Sequence, residues 1–227
     1  SFFQFLSKIK TSNFTKFVFF VSLMSFSVNL AAPFFAVLML KDLHFNYLTY
    51  SLIVIVAPLT LYLNIQRWGH HADHVGNLKI LKLTTRLIAI IPLLWVINQN
   101  PIYLILVEMF SGFLWAGFNL STANFIYDAV SPEKRTRCIA YFNVINAAGL
   151  STGALVGGFL IKHLPDIFEY KILTLFLVSS SLRLAVSWIF PGILKEVRTV
   201  KNVHSAELFF SMIRLRPILG DRRNIRA

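Results

Sequence analysis

Long apolar stretches alternate with short polar ones six times along the chain. The first, residues 17–40, has no charged side chain among its 24 residues. As a helix it would be about 36 Å long, enough to cross a bilayer core of roughly 30 Å. The others are of similar length and contain only scattered charges. The pattern predicts an all-α integral membrane protein with six transmembrane helices at about 17–40, 47–65, 80–97, 102–127, 139–161 and 172–194.

The segments outside these spans are basic. Residues 1–16 combine Phe and Leu with three lysines, which predicts an amphipathic cytoplasmic linker on the membrane surface. A frayed terminus is the alternative for this segment. Residues 195–227 form a basic, polar tail. Within the first span, Pro33 removes a backbone donor and is expected to kink the helix.

Composition agrees with a membrane protein. The mean hydropathy is +0.65 and 14% of the residues are charged, whereas soluble domains average about 25%. The net charge of +12 is explained by basic loops on one side of a bilayer. Nucleic-acid binding would instead need a soluble basic face, so no nucleic-acid partner is predicted.

The distribution of Lys and Arg predicts an orientation. Of the 22 such residues, 18 precede the first span, follow the sixth, or lie near the second-to-third and fourth-to-fifth connections. By the positive-inside rule, both termini are expected on the cytoplasmic side, in the cytoplasmic (inner) membrane. Ser1 in place of Met fits either removal of an initiator Met or a chain that begins within a longer protein.

Polar residues form a stripe along each of two spans. On the fourth span they recur every three or four positions and so share one helix face: Glu108, Ser111, Gly112, Trp115, Asn119 and Thr122. The first span repeats the pattern with Ser22, Ser25, Asn29 and Pro33. Unsatisfied polar groups in lipid cost several kcal/mol. The stripes therefore line a water-accessible path or make hydrogen bonds between helices.

Two ionisable residues lie within the spans. Glu108 is roughly 9 Å from the nearer end of its span by helical rise. It could carry a proton or bind a substrate, or it could be a structural residue with satisfied partners. Arg183 lies nearer the middle of the sixth span. It could pair with a carboxylate, border a water-filled crevice, or snorkel along a peripheral helix.

The polar segment 67–79 is interpreted as a short loop between the second and third spans. Three histidines lie in it, but no spacing among them matches a known metal motif, so no metal site is predicted. Gly69 and Gly76 favour a turn there. No cofactor is predicted for the chain either.

Glycines four apart on the fifth span form a groove that lets another helix approach closely. They are Gly149, Gly153 and Gly157, followed by Gly158. Ordinary packing and a contact that moves during function both fit this spacing.

Two of these segments resemble motifs of the major facilitator superfamily. The motif G-x-x-x-D-[R/K]-x-G-x-[R/K]-[R/K] connects the second and third helices of each six-helix half in that family. Its positions are matched here by Gly69, Asp73, Gly76 and Lys79. His74 and Leu78 depart from its basic positions. The fifth span is similar to the family's G-x-x-x-G-P-x-x-G-G pattern, with Ala154 where Pro is usual.

The resemblance covers roughly residues 13–194 and implies one six-helix half of a twelve-helix transporter, here the C-terminal half. It implies that the first and fourth spans line a central cavity and that the second and fifth face an N-terminal half. The third and sixth would be peripheral, which favours a structural role for Arg183. Segment 67–79 would act as a conformational latch.

The resemblance also implies a small-molecule substrate, with or without a coupling ion. The residues expected to line its cavity are Asn29, Glu108, Trp115 and Asn119. The predicted function is secondary active transport by alternating access. A non-transporting membrane scaffold or assembly factor on the same fold is the alternative. An enzyme is not expected, because apart from Glu108 the spans lack clustered acids, His or Cys.

Overall fold

The computed structural model describes residues 12–165 and 167–197, and throughout these ranges the regular elements are helical. In chain order they are α1 Asn13–Asn29, α2 Ala32–Val37, a π-helical turn Leu38–Asp42, α3 Tyr47–Val75, α4 Asn77–Ile88, α5 Ile91–Ile97, α6 Pro101–Ala129, α7 Pro132–His163 and α8 Lys171–Ile193.

Six helical segments of the described chain are long and apolar enough to cross a membrane, which confirms the predicted fold class. They are the first span Asn13–Asp42, the second Tyr47–Val75, the third Asn77–Ile97, the fourth Pro101–Ala129, the fifth Pro132–His163 and the sixth Lys171–Phe190. Most extend beyond the apolar stretches seen in the sequence, because the helices continue into polar residues at their ends.

Side-chain caps mark where several helices begin. Ser12 accepts a hydrogen bond from the backbone N–H of Thr15 (3.3 Å) at the start of α1. Asn46 caps α3 in the same way, and Asn100 caps α6 immediately before Pro101. These side chains satisfy backbone donors that have no partner within the first turn of a helix.

The spans pack in a pattern with internal symmetry. The second packs on the fourth and the first on the fifth, while the third contacts the fourth and the sixth contacts the first. Third and sixth also pack on each other. Exchanging the first three spans with the last three leaves the pattern unchanged. Because spans three apart run in opposite directions, the bundle consists of two inverted three-helix repeats.

Aromatic contacts join the repeats at the core. Phe17 of the first span stacks on Phe125 of the fourth, with ring centroids 4.2 Å apart. Phe35, further along the first span, stacks on Phe176 of the sixth at 4.1 Å. The core therefore follows the first, third, fourth and sixth spans, and the second and fifth lie on the outside.

Two spans are broken in the middle. The first span breaks at Leu30 and Ala31, shortly before Pro33, where the Ala31 N–H turns to the carbonyl of Val28 (3.2 Å). The third breaks at Ala89 and Ile90, before Pro92. Proline has no N–H and leaves the carbonyl four residues earlier without its helical donor.

The prediction of a loop at 67–79 is wrong for most of that range. The second span is helical through Val75, and the third span begins at Asn77. Gly76 alone makes the turn, with a φ of 87° and a ψ of 152°, a conformation accessible essentially only to glycine. Gly69 lies within the helix. Most of the predicted linker (1–11) and of the tail (198–227) lies outside the described residues.

Candidate functional site

Two cavities lie along the first and fourth spans, one in each half of the bundle. We call the end at which the first, third and fifth spans begin the N side. The distal cavity, in the half away from the N side, has a volume of about 230 Å³. Its polar and aromatic lining residues are Phe35, Trp95, Glu108, Ser111, Trp115 and Arg183.

The N-side cavity is larger, about 420 Å³, and is lined by the first, fourth and fifth spans. Among its lining residues are Ser25, Trp115, Asn119, Thr122, Asn143 and Asn146. Ser25 donates a hydrogen bond to the Asn146 side chain (2.7 Å) across the two spans. The polar groups named here are uncharged, in contrast to those of the distal cavity.

Trp115 lines both cavities. Its ring meets that of Phe118 edge-on, with centroids 5.3 Å apart. The distal cavity involves the fourth span from Glu108 to Trp115, and the N-side cavity involves it from Trp115 to Tyr127. The indole therefore lies between two spaces that succeed each other along the helix axis.

Glu108 is partly buried and borders the distal cavity. The indole of Trp95 lies beside its carboxylate. Trp95 is 1% exposed, and its Nε1–H has no hydrogen-bond partner within usual distance among the described residues. Phe35 packs edge-on against Trp95 at 4.8 Å. Glu108 thus lies among aromatic side chains of the cavity lining.

Arg183 is buried at 3% exposure and borders the same cavity. A snorkelling position on a peripheral helix is therefore wrong for this residue. Its Nε donates to the Ser179 hydroxyl (3.1 Å), and its terminal nitrogens donate to the carbonyls of Ile88 and Val28 (3.3 Å each). Both carbonyls lie at the breaks in the third and first spans, whose polar ends can offset part of the cost of burying the charge.

The neighbouring serines serve the same two breaks. Ser179 donates to the carbonyl of Ser27 (2.7 Å) in the first span. Ser180 donates to the carbonyl of Ala89 in the third. Three polar residues of the sixth span, spaced as one helix face, therefore donate to carbonyls at the breaks. The carbonyls of Ser27, Ile88 and Ala89 have lost their helical donors there, whereas that of Val28 also accepts from the Ala31 N–H.

Among the residues expected to line a substrate cavity, Glu108 and Trp115 meet in the distal cavity. Asn119 and Trp115 line the N-side cavity. Asn29 lines neither, and its side-chain amide donates to the Ser25 carbonyl of its own helix (2.9 Å). Ser22 and Ser25 of the first-span stripe contact the fifth span, and the fourth-span stripe, apart from Gly112, divides between the two cavities.

Three of the four fifth-span glycines pack directly on the first span. A Cβ added at Gly149, Gly153 or Gly157 would overlap the backbone carbonyl of Ser22, Phe26 or Leu30, respectively. Both series advance four residues at a time, so the two helices touch backbone to backbone over two turns. Gly158 has nothing within 4 Å of such a Cβ and faces away from this contact.

Close packing also joins the second and fourth spans. A Cβ at Gly112 would overlap the Ala57 carbonyl. Trp68, fully buried, covers Gly117 and donates to the Phe113 carbonyl (2.7 Å). Gly112 therefore belongs to a helix contact rather than to a cavity wall.

The turn between the second and third spans is tied to other N-side ends. Asn77 donates to the Asp128 carboxylate (2.8 Å) at the end of the fourth span. The backbone N–H of Leu78 donates to Glu196 (2.8 Å), just beyond the sixth. Asp73 and Lys79 lie on either side of the turn, and both also interact with other groups.

The histidines form an exposed helical face. His70 and His74 are one turn apart with ring centroids separated by 4.8 Å, and His71 donates from Nδ1 to the Arg67 carbonyl (2.8 Å). Within residues 12–165 and 167–197, no group of three or more His, Cys, Asp or Glu side chains is arranged to hold a metal ion.

Several site residues escaped the sequence patterns. Asn143 and Asn146 precede Gly149 at helical spacing, so the face defined by the glycines could have included them. Trp95 resembles an ordinary interfacial Trp in sequence. Ser179 and Ser180 gain their role only from the breaks in other spans.

Comparison with known proteins gives one match. The family model described as Major Facilitator Superfamily matches residues 17–222. No curated protein and no solved structure matches the chain.

Proposed function

The chain belongs to the major facilitator superfamily, a family of membrane transporters, and on that premise we propose that it is the C-terminal half of a secondary active transporter. It moves a small solute across the membrane by alternating access. It is not an enzyme. The observation that carries the proposal is the position of Trp115 between two cavities that open from the same pair of helices.

A path interrupted by a side chain suits a carrier. The distal cavity and the N-side cavity together follow the fourth span from Glu108 to Tyr127, about 28 Å by helical rise, which approaches the thickness of a bilayer core. Trp115 keeps the two apart. A substrate that moves from one cavity to the other would pass this residue while the bundle changes its opening.

The outer surface supports a partner half. In the most apolar windows of the second and fifth spans, 6% and 11% of the residues are buried, against 33% to 56% in the other four. Tyr62 and Leu63 on the second span are 74% and 77% exposed. We propose that an N-terminal half of six further helices covers part of this surface and that lipid covers the rest.

The N side corresponds to the cytoplasm in this proposal, as the excess of Lys and Arg there predicts. The turn at Gly76 then lies at the cytoplasmic surface. Its contacts with Asp128 and Glu196 link the ends of the third, fourth and sixth spans. Together with Asp73 and Lys79 they would form a latch that favours one opening of the transporter.

Cysteine accessibility tests alternating access without knowledge of the substrate. Cys138, the single cysteine, is replaced by Ser in the full-length protein. One new cysteine is then placed at Val54 in the distal cavity or at Ala123 in the N-side cavity, both exposed lining positions. Ile189→Cys, on the exposed surface of the sixth span at 58% exposure, serves as the control.

A membrane-impermeant maleimide is applied to each side of sealed, oriented vesicles. Glu196→Gln, which weakens the latch, should raise labelling at one cavity and lower it at the other, because a two-state carrier opens to one side at a time. The control position should not respond. Labelling that rises or falls together at both cavities, or stays constant, would instead indicate a scaffold without alternating access.

A further inference from the structure

The distal cavity contains two side chains of opposite charge type that do not pair with each other. Glu108 and Arg183 both line it. The three hydrogen bonds of Arg183 go to Ser179, Ile88 and Val28, and none goes to Glu108. An acidic and a basic side chain that face one small space without meeting are a poor arrangement for stability alone, because a direct pair would offset more of the desolvation cost.

Arg183 retains donors that these contacts do not use. A guanidinium has five N–H groups, and its three hydrogen bonds occupy one on each nitrogen. Each terminal nitrogen therefore keeps one N–H for another acceptor. The fixed planar geometry of the group makes a carboxylate its best complement. Capping the two broken helices holds the guanidinium in place before any ligand arrives.

The same lining also supplies an acceptor for a cation. Glu108 supplies carboxylate oxygens, and the rings of Trp95 and Trp115 border the same space. An ammonium group can be bound by a carboxylate and by aromatic faces together. The cavity volume of about 230 Å³ corresponds to roughly eight water molecules at about 30 Å³ each. It is therefore smaller than the sites that take drug-sized ligands.

We propose that the distal cavity binds a small zwitterion, with its carboxylate on Arg183 and its ammonium group on Glu108. The inference rests on the transporter function proposed above and names the chemical class of its substrate. A zwitterion satisfies both side chains at once. A simple carboxylate or a simple amine satisfies one of them and leaves the other facing a low-dielectric cavity without a partner.

Matched ligands test this class directly. The probes are glycine, β-alanine and 4-aminobutyrate, each with the carboxylate that lacks its amine (acetate, propionate, butyrate). Each is also compared with the amine that has a methyl group in place of the carboxylate (ethylamine, propylamine, butylamine). Three lengths are used so that one can match the separation of the two side chains. Binding to the purified full-length protein is measured by calorimetry and by quenching of tryptophan fluorescence.

The expected result is that the best zwitterion binds at least tenfold more tightly than its matched carboxylate and its matched amine. Glu108→Gln should remove the preference over the carboxylate by weakening the zwitterion to the level of the carboxylate. Arg183→Lys should weaken the binding of all carboxylate-bearing probes. If the Arg183→Lys variant does not fold, Glu108→Gln still decides the test. Glu169→Gln, on an exposed loop, is the control.

Three results would overturn the zwitterion site. They are equal binding by all three members of a set, no binding by any probe, and an unchanged preference in Glu108→Gln. The cysteine experiment separates this failure from failure of the transporter proposal. Opposed labelling at Val54 and Ala123 without zwitterion binding would leave a carrier of another solute.

Discussion

Arg183 on the sixth span donates a hydrogen bond to the carbonyl of Ile88 on the third, across 3.3 Å. Residue 92 would supply the helical donor for that carbonyl, but it is a proline and has none. The next carbonyl, that of Ala89, also lacks its helical donor, because the Leu93 N–H donates to the Ile90 carbonyl instead (2.9 Å). The Ser180 hydroxyl donates to the Ala89 carbonyl in its place. Side chains of the sixth span therefore supply the hydrogen-bond donors that the backbone of the third span lacks at its break.

This relationship predicts that Ser180→Ala destabilises the protein. The substitution leaves the Ala89 carbonyl buried without a donor, which costs about 1–2 kcal/mol by analogy with other buried hydrogen bonds. Thermal unfolding in detergent should show a lower midpoint. Ser181→Ala is the matched control, because that hydroxyl is exposed and bonds to its own helix at Leu177 (2.9 Å). Equal midpoints for the two variants would mean that the cap contributes nothing.

A second prediction separates the two glycines of the motif between the second and third spans. Gly76→Ala should cost about 1–3 kcal/mol, because its φ of 87° is strained for any residue with a Cβ. Gly69→Ala should be tolerated, since that residue is helical and its added Cβ would meet Leu120 at an ordinary 3.6 Å. Thermal midpoints of the two purified variants decide this. A larger loss at Gly69 would contradict the observed turn.

The sequence was sufficient to predict the number of spans and the family. A span that crosses lipid must be apolar along its length, and the motif glycines lie close together in the chain. It was insufficient for segment 67–79. Polar residues there indicated a loop, but a helix end that reaches water tolerates polar residues as readily as a loop does. Only Gly76, where the backbone φ is positive, needed to leave the helix.

Long-range contacts account for what the sequence could not predict at the site. The role of Arg183 depends on breaks in the first and third spans, which lie far from it in the chain. The periodicity of the fourth span correctly grouped polar positions on one face. It could not show that Gly112 contacts Ala57, because the same face meets a helix at one level and a cavity at another.

A third prediction concerns the contact between the first and fifth spans. Gly153→Ala places a methyl group against the Phe26 carbonyl and must push the helices apart, at a cost of about 1–3 kcal/mol. Gly158→Ala fills open space and should leave stability unchanged or slightly higher. The thermal midpoints and the cavity labelling pattern of both variants are compared. Indistinguishable behaviour would show that the close approach is not needed.

The last prediction concerns Trp115, whose ring lies between the distal and N-side cavities. Trp115→Ala removes most of that barrier, so the two cavities should join. Cysteines at Val54 and Ala123 should then react from both sides of the membrane in the same preparation. Vesicles containing the full-length variant should also leak small solutes that the unmodified protein retains.

Trp188→Ala is the control for loss of an indole, because that side chain is 66% exposed on the outside of the bundle and packs against Arg86. It should change neither labelling nor leakage. If each cavity of the Trp115→Ala variant is still labelled from its own side of the membrane only, the barrier resides in other side chains of the first and fourth spans. The indole would then contact the substrate without separating the compartments.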